Sequence, residues 1–148
     1  MATVSTYLNF MGNCSEAFAF YKDVFGTEYS TPAMRMRDVP PQPGQPPLPA
    51  DEQDAVMHVA LPIIDGHVLM GTDMLRSMGH ELRLGNNITI SLNLDSSDEA
   101  MGLYAALSEG GSESIEPAAQ SWDAMWGICL DRFGIRWMFN APLEPAAH

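Results

Sequence analysis

Residues 7–21 read YLNFMGNCSEAFAFY, and the pattern of this stretch returns in residues 91–104, which read SLNLDSSDEAMGLY. Both copies contain Leu-Asn followed by an apolar residue, and both continue with Glu-Ala-x-x-x-Tyr. The helical part repeats with an offset of 83 (99 minus 16), and the strand part repeats with an offset of 84 (92 minus 8). A long fixed period is typical of a duplicated supersecondary unit.

Local signals predict a strand and then a helix in the first copy. Ser5 to Phe10 alternates as a strand does. Asn13 and Glu16 have the spacing of a capping box, in which the two residues satisfy free N–H groups reciprocally. Gly26 supplies the left-handed end of the helix.

The second copy carries the same signals. Thr89 to Leu94 is predicted as a strand, and Ser96 caps a helix with Glu99 three residues on. Gly110-Gly111 ends this helix. Its predicted buried face consists of Ala100, Leu103, Tyr104 and Leu107.

Three further strands follow each helix. Asp65-Gly66 between two apolar runs is a strong hairpin signal. Arg132-Phe133-Gly134 joins the corresponding pair in the second half. The predicted strands are Glu28 to Arg37, Ala55 to Ile64, His67 to Thr72, Ser114 to Gln120, Met125 to Asp131 and Ile135 to Asn140.

A proline-rich insertion accounts for the difference in length between the halves. The hairpin glycines are offset by 68 (134 minus 66), which is 15 less than the helical offset of 83. The segment 38–52, the Pro-rich loop, is 15 residues long, and neither a helix nor an inner strand tolerates its proline density. We interpret it as a semi-rigid flap, with docking to an SH3-type partner as the alternative.

These patterns predict an α+β fold of two tandem βαβββ modules. Module 1 covers about residues 1–74 and module 2 about residues 86–142, within a single domain of residues 1–148. The length suits one compact domain or two half-domains too small to stand separately.

The net charge of −12, from 7 basic and 19 acidic residues, argues against nucleic acid or an anionic membrane as a partner. No apolar run is long enough to span a bilayer, and the N-terminus lacks the features of a signal peptide. We therefore expect a cytoplasmic protein. Cys14 and Cys129 are predicted to be buried, inert thiols.

Several motifs occur along the chain. They are Gly12-Asn13-Cys14-x-Glu16-Ala17, Phe20-Tyr21, Phe25-Gly26, Trp122, Trp126-Gly127 and Asp131-x-Phe133-Gly134-x-x-Trp137-Met138-x-Asn140. Together with the order of elements, these motifs resemble the vicinal-oxygen-chelate superfamily, which includes glyoxalase I, bleomycin-resistance proteins and extradiol dioxygenases. Within it, the chain looks like the PhnB-like branch. The resemblance implies an open, cup-like eight-stranded sheet with outer helices, and a homodimer.

Some relatives in this branch carry a ubiquinone-methyltransferase label. The chain has no Gly-rich strand-to-helix loop that would hold a methyl-donor nucleotide. We therefore do not expect that activity.

Metal enzymes of the superfamily hold a divalent ion through the first and last strands of each module. Carried over by resemblance, these positions fall on Ser5 (or Thr6), Thr89, Met70 and Met138. Hard divalent ions prefer carboxylate, carbonyl or imidazole ligands, and thioether sulfur binds them poorly. We therefore expect neither the usual metal site nor another cofactor.

A non-standard ligand set drawn from His58, His67, His80 and Asp73 would instead indicate a metal-dependent lyase or dioxygenase. We predict that His67 points away from Met70 and that both His67 and His80 are solvent-exposed. His58 precedes Gly66 by eight residues, as Trp126 precedes Gly134, so the two should occupy equivalent strand positions. His58 is the candidate catalytic residue, as a general base or a hydrogen-bond donor.

We expect the cup to bind a small, partly apolar organic molecule without the usual metal, under the Pro-rich loop. Sequestration of a toxic compound without chemistry, as in bleomycin-resistance proteins, is a third possibility. Amide, hydroxyl, aromatic and thioether side chains would line the cup. The predicted lining is Tyr7, Asn9, Met70, Ser91, Asn93, Trp122, Trp126 and Met138.

Overall fold

The computed structural model describes residues 1–143. The chain divides into two units, Met1–Arg83 and Leu84–His148. Each unit contains one helix and four strands, and the strands of each unit form their own four-stranded sheet. The predicted α+β class and the tandem βαβββ modules are confirmed, and the eight predicted strands are divided between two sheets.

In the first unit the sheet order is β1-β4-β3-β2. Strand β1 runs parallel to β4, and the other neighbouring strands are antiparallel. The elements are β1 (Thr6–Phe10), α1 (Cys14–Phe25), β2 (Thr31–Arg35), β3 (Val56–Pro62) and β4 (Val68–Asp73).

The second unit repeats this topology with the order β5-β8-β7-β6. Strand β5 is parallel to β8, and the remaining pairs are antiparallel. The helices begin 83 residues apart (97 minus 14), which is the offset seen in the sequence. The elements are β5 (Ile90–Asn93), α2 (Ser97–Ser108), β6 (Ser112–Ala119), β7 (Ala124–Leu130) and β8 (Arg136–Pro142).

Strand β2 is shorter than the predicted Glu28 to Arg37, because the chain turns into a 3₁₀ helix at Met36–Asp38. Strand β6 begins two residues before the predicted Ser114. Its register with β7 shifts around Ile115. Pro32 and Pro117 lie in β2 and β6, and both strands are sheet edges, where a residue without an N–H is tolerated.

Helix α1 packs on β3 and β4 through buried aromatic side chains, among them Phe18 and Tyr21. A Cβ atom on Gly71 would come within 2.4 Å of Phe18 Cε2 and 3.2 Å of Cys14 Sγ. Glycine at this position therefore allows the helix to lie close to the strand. In the second unit, Tyr104 of α2 meets Phe139 of β8 edge to face, with ring centroids 5.6 Å apart.

The predicted capping box at Asn13 is wrong. Asn13 is the N-cap residue of α1, but its side chain makes no capping hydrogen bond. The carboxylate of Asp73 takes its place, and its Oδ1 accepts hydrogen bonds from the backbone N–H groups of Gly12 (2.8 Å) and Cys14 (3.0 Å). Its Oδ2 accepts a third from the backbone N–H of Val56 (2.9 Å). One buried carboxylate thus joins the helix start to β3 and β4.

The predicted cap of α2 is confirmed. Ser96 Oγ accepts a hydrogen bond from the backbone N–H of Glu99 at 3.1 Å. The hairpin at Asp65-Gly66 is also confirmed, because both residues have positive φ angles (49° and 77°), as a two-residue turn of this kind requires. At the base of the turn, the backbone N–H of Ile63 donates to His67 O (2.8 Å), and the backbone N–H of His67 donates to Ile64 O (2.9 Å).

Both cysteines are free and buried, as predicted. Burial raises the pKa of the Cys14 thiol far above its ordinary value, and the neighbouring Asp73 carboxylate raises it further. Burial, and then the charge of Asp131, raise the pKa of the Cys129 thiol to about 12. Within residues 1–143, no helix is both long enough and apolar enough to cross a membrane.

Candidate functional site

Each sheet has one face covered by a helix and one face without a helix. In the first unit, Gly71 faces Phe18 of α1, so the neighbouring Met70 points to the opposite face, because side chains alternate along a strand. We call this opposite side the helix-free face. Register places Tyr7 beside Met70, Met70 beside Ala60, and Asn9 beside Thr72 on it.

His58 lies on the same face, two residues before Ala60 on β3. Its ring centroid is 5.9 Å from that of Tyr7, with the ring planes inclined by 32°. Met34 of β2 pairs with His58 from the other side and is 42% exposed. The structure therefore brings together the predicted residues Tyr7, Asn9, His58 and Met70 on one surface.

The second sheet carries the corresponding surface. Phe139 meets α2, so its neighbours Met138 and Asn140 point to the helix-free face. Ser91 pairs with Met138, and Asn93 pairs with Asn140. Trp126 pairs with Asn140 on the other side. The predicted residues Ser91, Asn93, Trp126 and Met138 thus share one face.

His58 and Trp126 occupy equivalent positions in the two units, as predicted. Met70 pairs with Ala60, two residues after His58, and Met138 pairs with Ile128, two residues after Trp126. Met70 and Met138 therefore occupy matching central positions on the two helix-free faces. Next to the methionine, the first face carries the imidazole of His58 and the second face the indole of Trp126.

Sequence reasoning missed Asn140 as a member of this face. Its Nδ2 donates a hydrogen bond to Ser91 Oγ at 2.9 Å, joining β8 to β5. The signal was available, because Asn140 lies two residues after Met138 and so shares its side of the strand. Met34 was also missed, because β2 has register shifts on both sides of it and the period of two does not locate it.

Trp122 is the predicted lining residue that does not lie on a strand, and its contact with a ligand stays a prediction. Trp122 lies in the turn between β6 and β7 and is 60% exposed. Hydrogen bonds from Gln120 to Ala124 and from Asp123 to Gln120 close this turn, and Asp123 has a positive φ of 60°. Trp122 is therefore outside the strand positions that make up the helix-free face.

The positions that hold metal in the superfamily do not fit a divalent ion here. Ser5 and Thr89 lie just before their strands and offer hydroxyl groups, while Met70 and Met138 offer thioethers. Thr6 pairs with Leu69, on the helix side, and its Oγ1 is hydrogen-bonded to His67 Nε2 at 2.8 Å.

The non-standard ligand set does not assemble either. Both oxygens of Asp73 accept backbone N–H groups. His67 is half-buried against Thr6, which corrects the prediction of a solvent-exposed side chain but agrees with its pointing away from Met70. His80 is exposed, and its Nδ1 accepts a hydrogen bond from the backbone N–H of Leu75 at 2.9 Å. In residues 1–143, no three His, Cys, Asp or Glu side chains form a group that could hold a metal ion.

The Pro-rich loop contains a 3₁₀ helix at Ala50–Glu52 and is followed by β3. Glu52 accepts hydrogen bonds from the backbone N–H (3.0 Å) and the hydroxyl of Ser77, which lies in the 3₁₀ helix Arg76–Met78 after β4. These bonds lower the pKa of the Glu52 carboxyl. The loop is thus tied to the segment after β4, and its role as a flap stays a prediction.

Two βαβββ modules in tandem, each with its first strand parallel to its last, define the class of glyoxalase-fold proteins. The family model described as "Glyoxalase/Bleomycin resistance protein/Dioxygenase superfamily" matches residues 4–139. The chain belongs to this superfamily.

Individual relatives agree with the resemblance to the PhnB-like branch. Protein PA1353 from Pseudomonas aeruginosa has 33% sequence identity and a TM-score of 0.78, with 97% of this chain and 100% of that chain covered. A PhnB protein from Bacillus cereus that carries a 3-demethylubiquinone-9 3-methyltransferase label shares the fold, with 19% identity, a TM-score of 0.70 and coverage of 97% and 100%. Protein YjdN of Escherichia coli K12 is 25% identical over 142 residues, or 93% of each chain.

Proposed function

We propose that the helix-free face of each sheet binds a small, partly apolar organic molecule, without the metal used by many members of the superfamily. We further propose that it acts as a cytoplasmic homodimer. The observation that carries the proposal is the matched composition of the two faces. Each has a methionine at its centre, with an aromatic or imidazole ring and amide or hydroxyl groups beside it.

This composition suits an organic ligand with an apolar body and a few polar groups. Methionine is unbranched and polarizable, so Met70 and Met138 can adapt to an irregular apolar surface. Binding sites for small molecules combine such a lining with a small number of placed polar groups. Asn9, His58 and Asn93 supply donors and acceptors on the same faces.

Two functions are compatible with this site, and they differ in the role of the His58 imidazole. An imidazole can take a proton from a bound molecule at neutral pH, which would make the protein an enzyme. If the imidazole only donates or accepts a hydrogen bond, the protein sequesters its ligand without chemistry. The neighbouring Tyr7 ring contacts the imidazole and is 49% exposed, so the same ligand would touch both residues.

The experiment is a small-molecule screen by thermal shift, followed by titration of each hit with the wild type, His58→Ala and Trp126→Ala. A ligand of the folded state raises the melting temperature. We expect His58→Ala to weaken binding on the face of the first unit at least tenfold, and Trp126→Ala to do so on the face of the second unit. The matched control is His80→Ala, since His80 is exposed and lies after β4. Hits that bind all four proteins equally would contradict the proposed site.

Turnover of the same hit then assigns the class. If the wild type converts the molecule and His58→Ala binds it without conversion, His58 is a catalytic base. If the wild type returns the molecule unchanged, the protein sequesters it.

Exposed apolar side chains in the second unit support the proposed homodimer. Leu84 is 66% exposed and Ile88, four residues later, is 77% exposed, and large exposed apolar side chains are available for contact with a second copy of the chain. Light scattering after gel filtration should give the mass of two chains, and Ile88→Lys should lower it toward one. A wild-type mass of one chain across the accessible concentrations would contradict the dimer.

A further inference from the structure

The Pro-rich loop borders a half-open cavity of about 400 Å³ in the first unit. This volume falls within the range of small-molecule pockets, roughly 300–1,000 Å³. Neither His58 nor any of the eight residues predicted to line the cup lines it. Its walls come from the loop, the residues flanking the loop and the segment after β4, including Val39, Pro40, Pro46, Leu48, Leu75 and Met78.

The walls of this cavity are held in place by hydrogen bonds. The backbone N–H groups of Met36 and Arg37 donate to Ala55 O (2.8 Å) and Gln53 O (3.0 Å), which joins the two ends of the loop. Glu52 ties the far end to Ser77. Proline also restricts the backbone between these points. The cavity is therefore largely pre-formed, and little conformational entropy of the loop would be lost when a ligand binds.

The polar side chains around the cavity are already partnered. The Arg37 guanidinium forms an ion pair with the Asp54 carboxylate. Gln53 Nε2 donates to Leu48 O at 3.3 Å, and Gln45 Oε1 accepts from the Gln42 backbone N–H at 3.4 Å. What remains toward the cavity is mostly apolar: proline rings, Val39, Leu48, Leu75 and Met78.

We propose that this cavity is a second ligand site, distinct from the helix-free faces, and that it takes a neutral, predominantly apolar small molecule. An anionic ligand is disfavoured because the one arginine in the lining is neutralised by Asp54 and the chain carries a net charge of −12. A cationic ligand would find no carboxylate among the lining residues. The apolar walls and their exposed position favour a neutral molecule that buries hydrocarbon or aromatic surface.

Nile red, a neutral apolar dye, tests this proposal with the full-length protein. We expect saturable binding of one dye per chain, weakened at least tenfold by Met78→Lys and by Val39→Lys, which place a charge on two different segments that line the cavity. Both residues are partly exposed, at 52% and 38%, so the charge is tolerated in the unliganded fold. The matched control is Met34→Lys, because Met34 is 42% exposed in the same unit but lies on the helix-free face.

A second readout follows the methionines directly. In a protein with ¹³C-labelled methionine methyl groups, Nile red should shift the resonances of Met36 and Met78, which line the cavity, and leave those of Met70 and Met138 unchanged. Shifts confined to Met70 or Met138, or binding lost only in Met34→Lys, would place the dye on the helix-free face and overturn this proposal while leaving the proposed function intact. Equal binding by all variants would also overturn it.

Discussion

Tyr7 and His58 lie with their ring centroids 5.9 Å apart, although β4 separates the strands that carry them. Tyr7 pairs with Met70, and Met70 pairs with Ala60, two residues from His58. The tyrosine ring therefore reaches diagonally across β4 to the imidazole. Any ligand seated on the imidazole from this side would also contact the phenol ring.

This contact predicts coupling between the two residues in a double-mutant cycle. Tyr7→Ala and His58→Ala should each lower the free energy of unfolding slightly, and the double variant should lose less than their sum. The expected coupling is about 0.5–1 kcal/mol, as for other aromatic pairs. Urea denaturation of the four proteins measures it. Strict additivity would show that the rings do not interact in solution.

Asp73→Asn should destabilise the first unit strongly. The carboxylate accepts three backbone N–H groups, and an amide replaces one of its acceptor oxygens with a donor. Each buried N–H left without a partner costs about 1–3 kcal/mol, so a loss of about 2–4 kcal/mol is expected. Urea denaturation is the measurement and Asp51→Asn, at an exposed position, is the control. A loss equal to that of the control would disprove the capping role of Asp73.

Gly71→Ala and Gly102→Ala should change stability in opposite directions. The new methyl group at residue 71 would lie 2.4 Å from Phe18 Cε2, so helix and strand must separate, at a cost of about 1–3 kcal/mol. At residue 102, inside α2, nothing lies within 4 Å of the new methyl group. Alanine there should stabilise the helix by about 0.5–1 kcal/mol. Melting temperatures that move in the same direction for both variants would contradict the packing described.

Cys14 and Cys129 should resist thiol reagents in the folded protein and react fully after unfolding, because burial holds both as neutral thiols.

The raised pKa of the Cys129 thiol also makes the stability of the protein depend on pH. The Cys129 thiol ionises near its ordinary pKa of 9.0 in the unfolded chain and at about 12 in the folded one. The contribution of the neutral Cys129 thiol to the free energy of unfolding is therefore complete below about pH 9 and is lost as the pH rises through about 12.

Comparison of the wild type with Cys129→Ala isolates this contribution. The stability of the wild type should fall more steeply above about pH 9 than that of the variant. Rapid labelling of either cysteine in the native protein at mildly alkaline pH would contradict their burial.

Features set by local chemistry were predicted well from the sequence. The cap of α2 is formed by Ser96 and Glu99, which are three residues apart, and the hairpin turn takes both of its positive φ angles from Asp65-Gly66. Residues close together in the sequence are therefore enough to specify the cap and the turn. The cap of α1 failed for the opposite reason. Its acceptor, Asp73, lies about sixty residues from Gly12 in the chain and meets it only through the parallel pairing of β1 and β4.

The candidate site was also predicted best where residues close together in the sequence specify the structure. The strand pattern placed Tyr7, Asn9, Ser91 and Asn93 on the first strands of the two modules. The resemblance placed Met70 and Met138, each four residues after a hairpin glycine. Trp122 lies beyond the last paired residues of β6 and β7, where alternation along a strand does not apply. Met34 was missed because register shifts flank it.

The most direct test of an organic ligand in place of the superfamily's metal is elemental analysis of the purified, untagged protein. It should be combined with melting in the presence of Ni²⁺, Zn²⁺, Mn²⁺ and Fe²⁺. A metal that binds only the folded state must raise the melting temperature. We predict no stoichiometric metal and no shift, because the family's ligand positions carry hydroxyls and thioethers. One metal ion per chain, with a melting shift that His58→Ala removes, would contradict the proposed function.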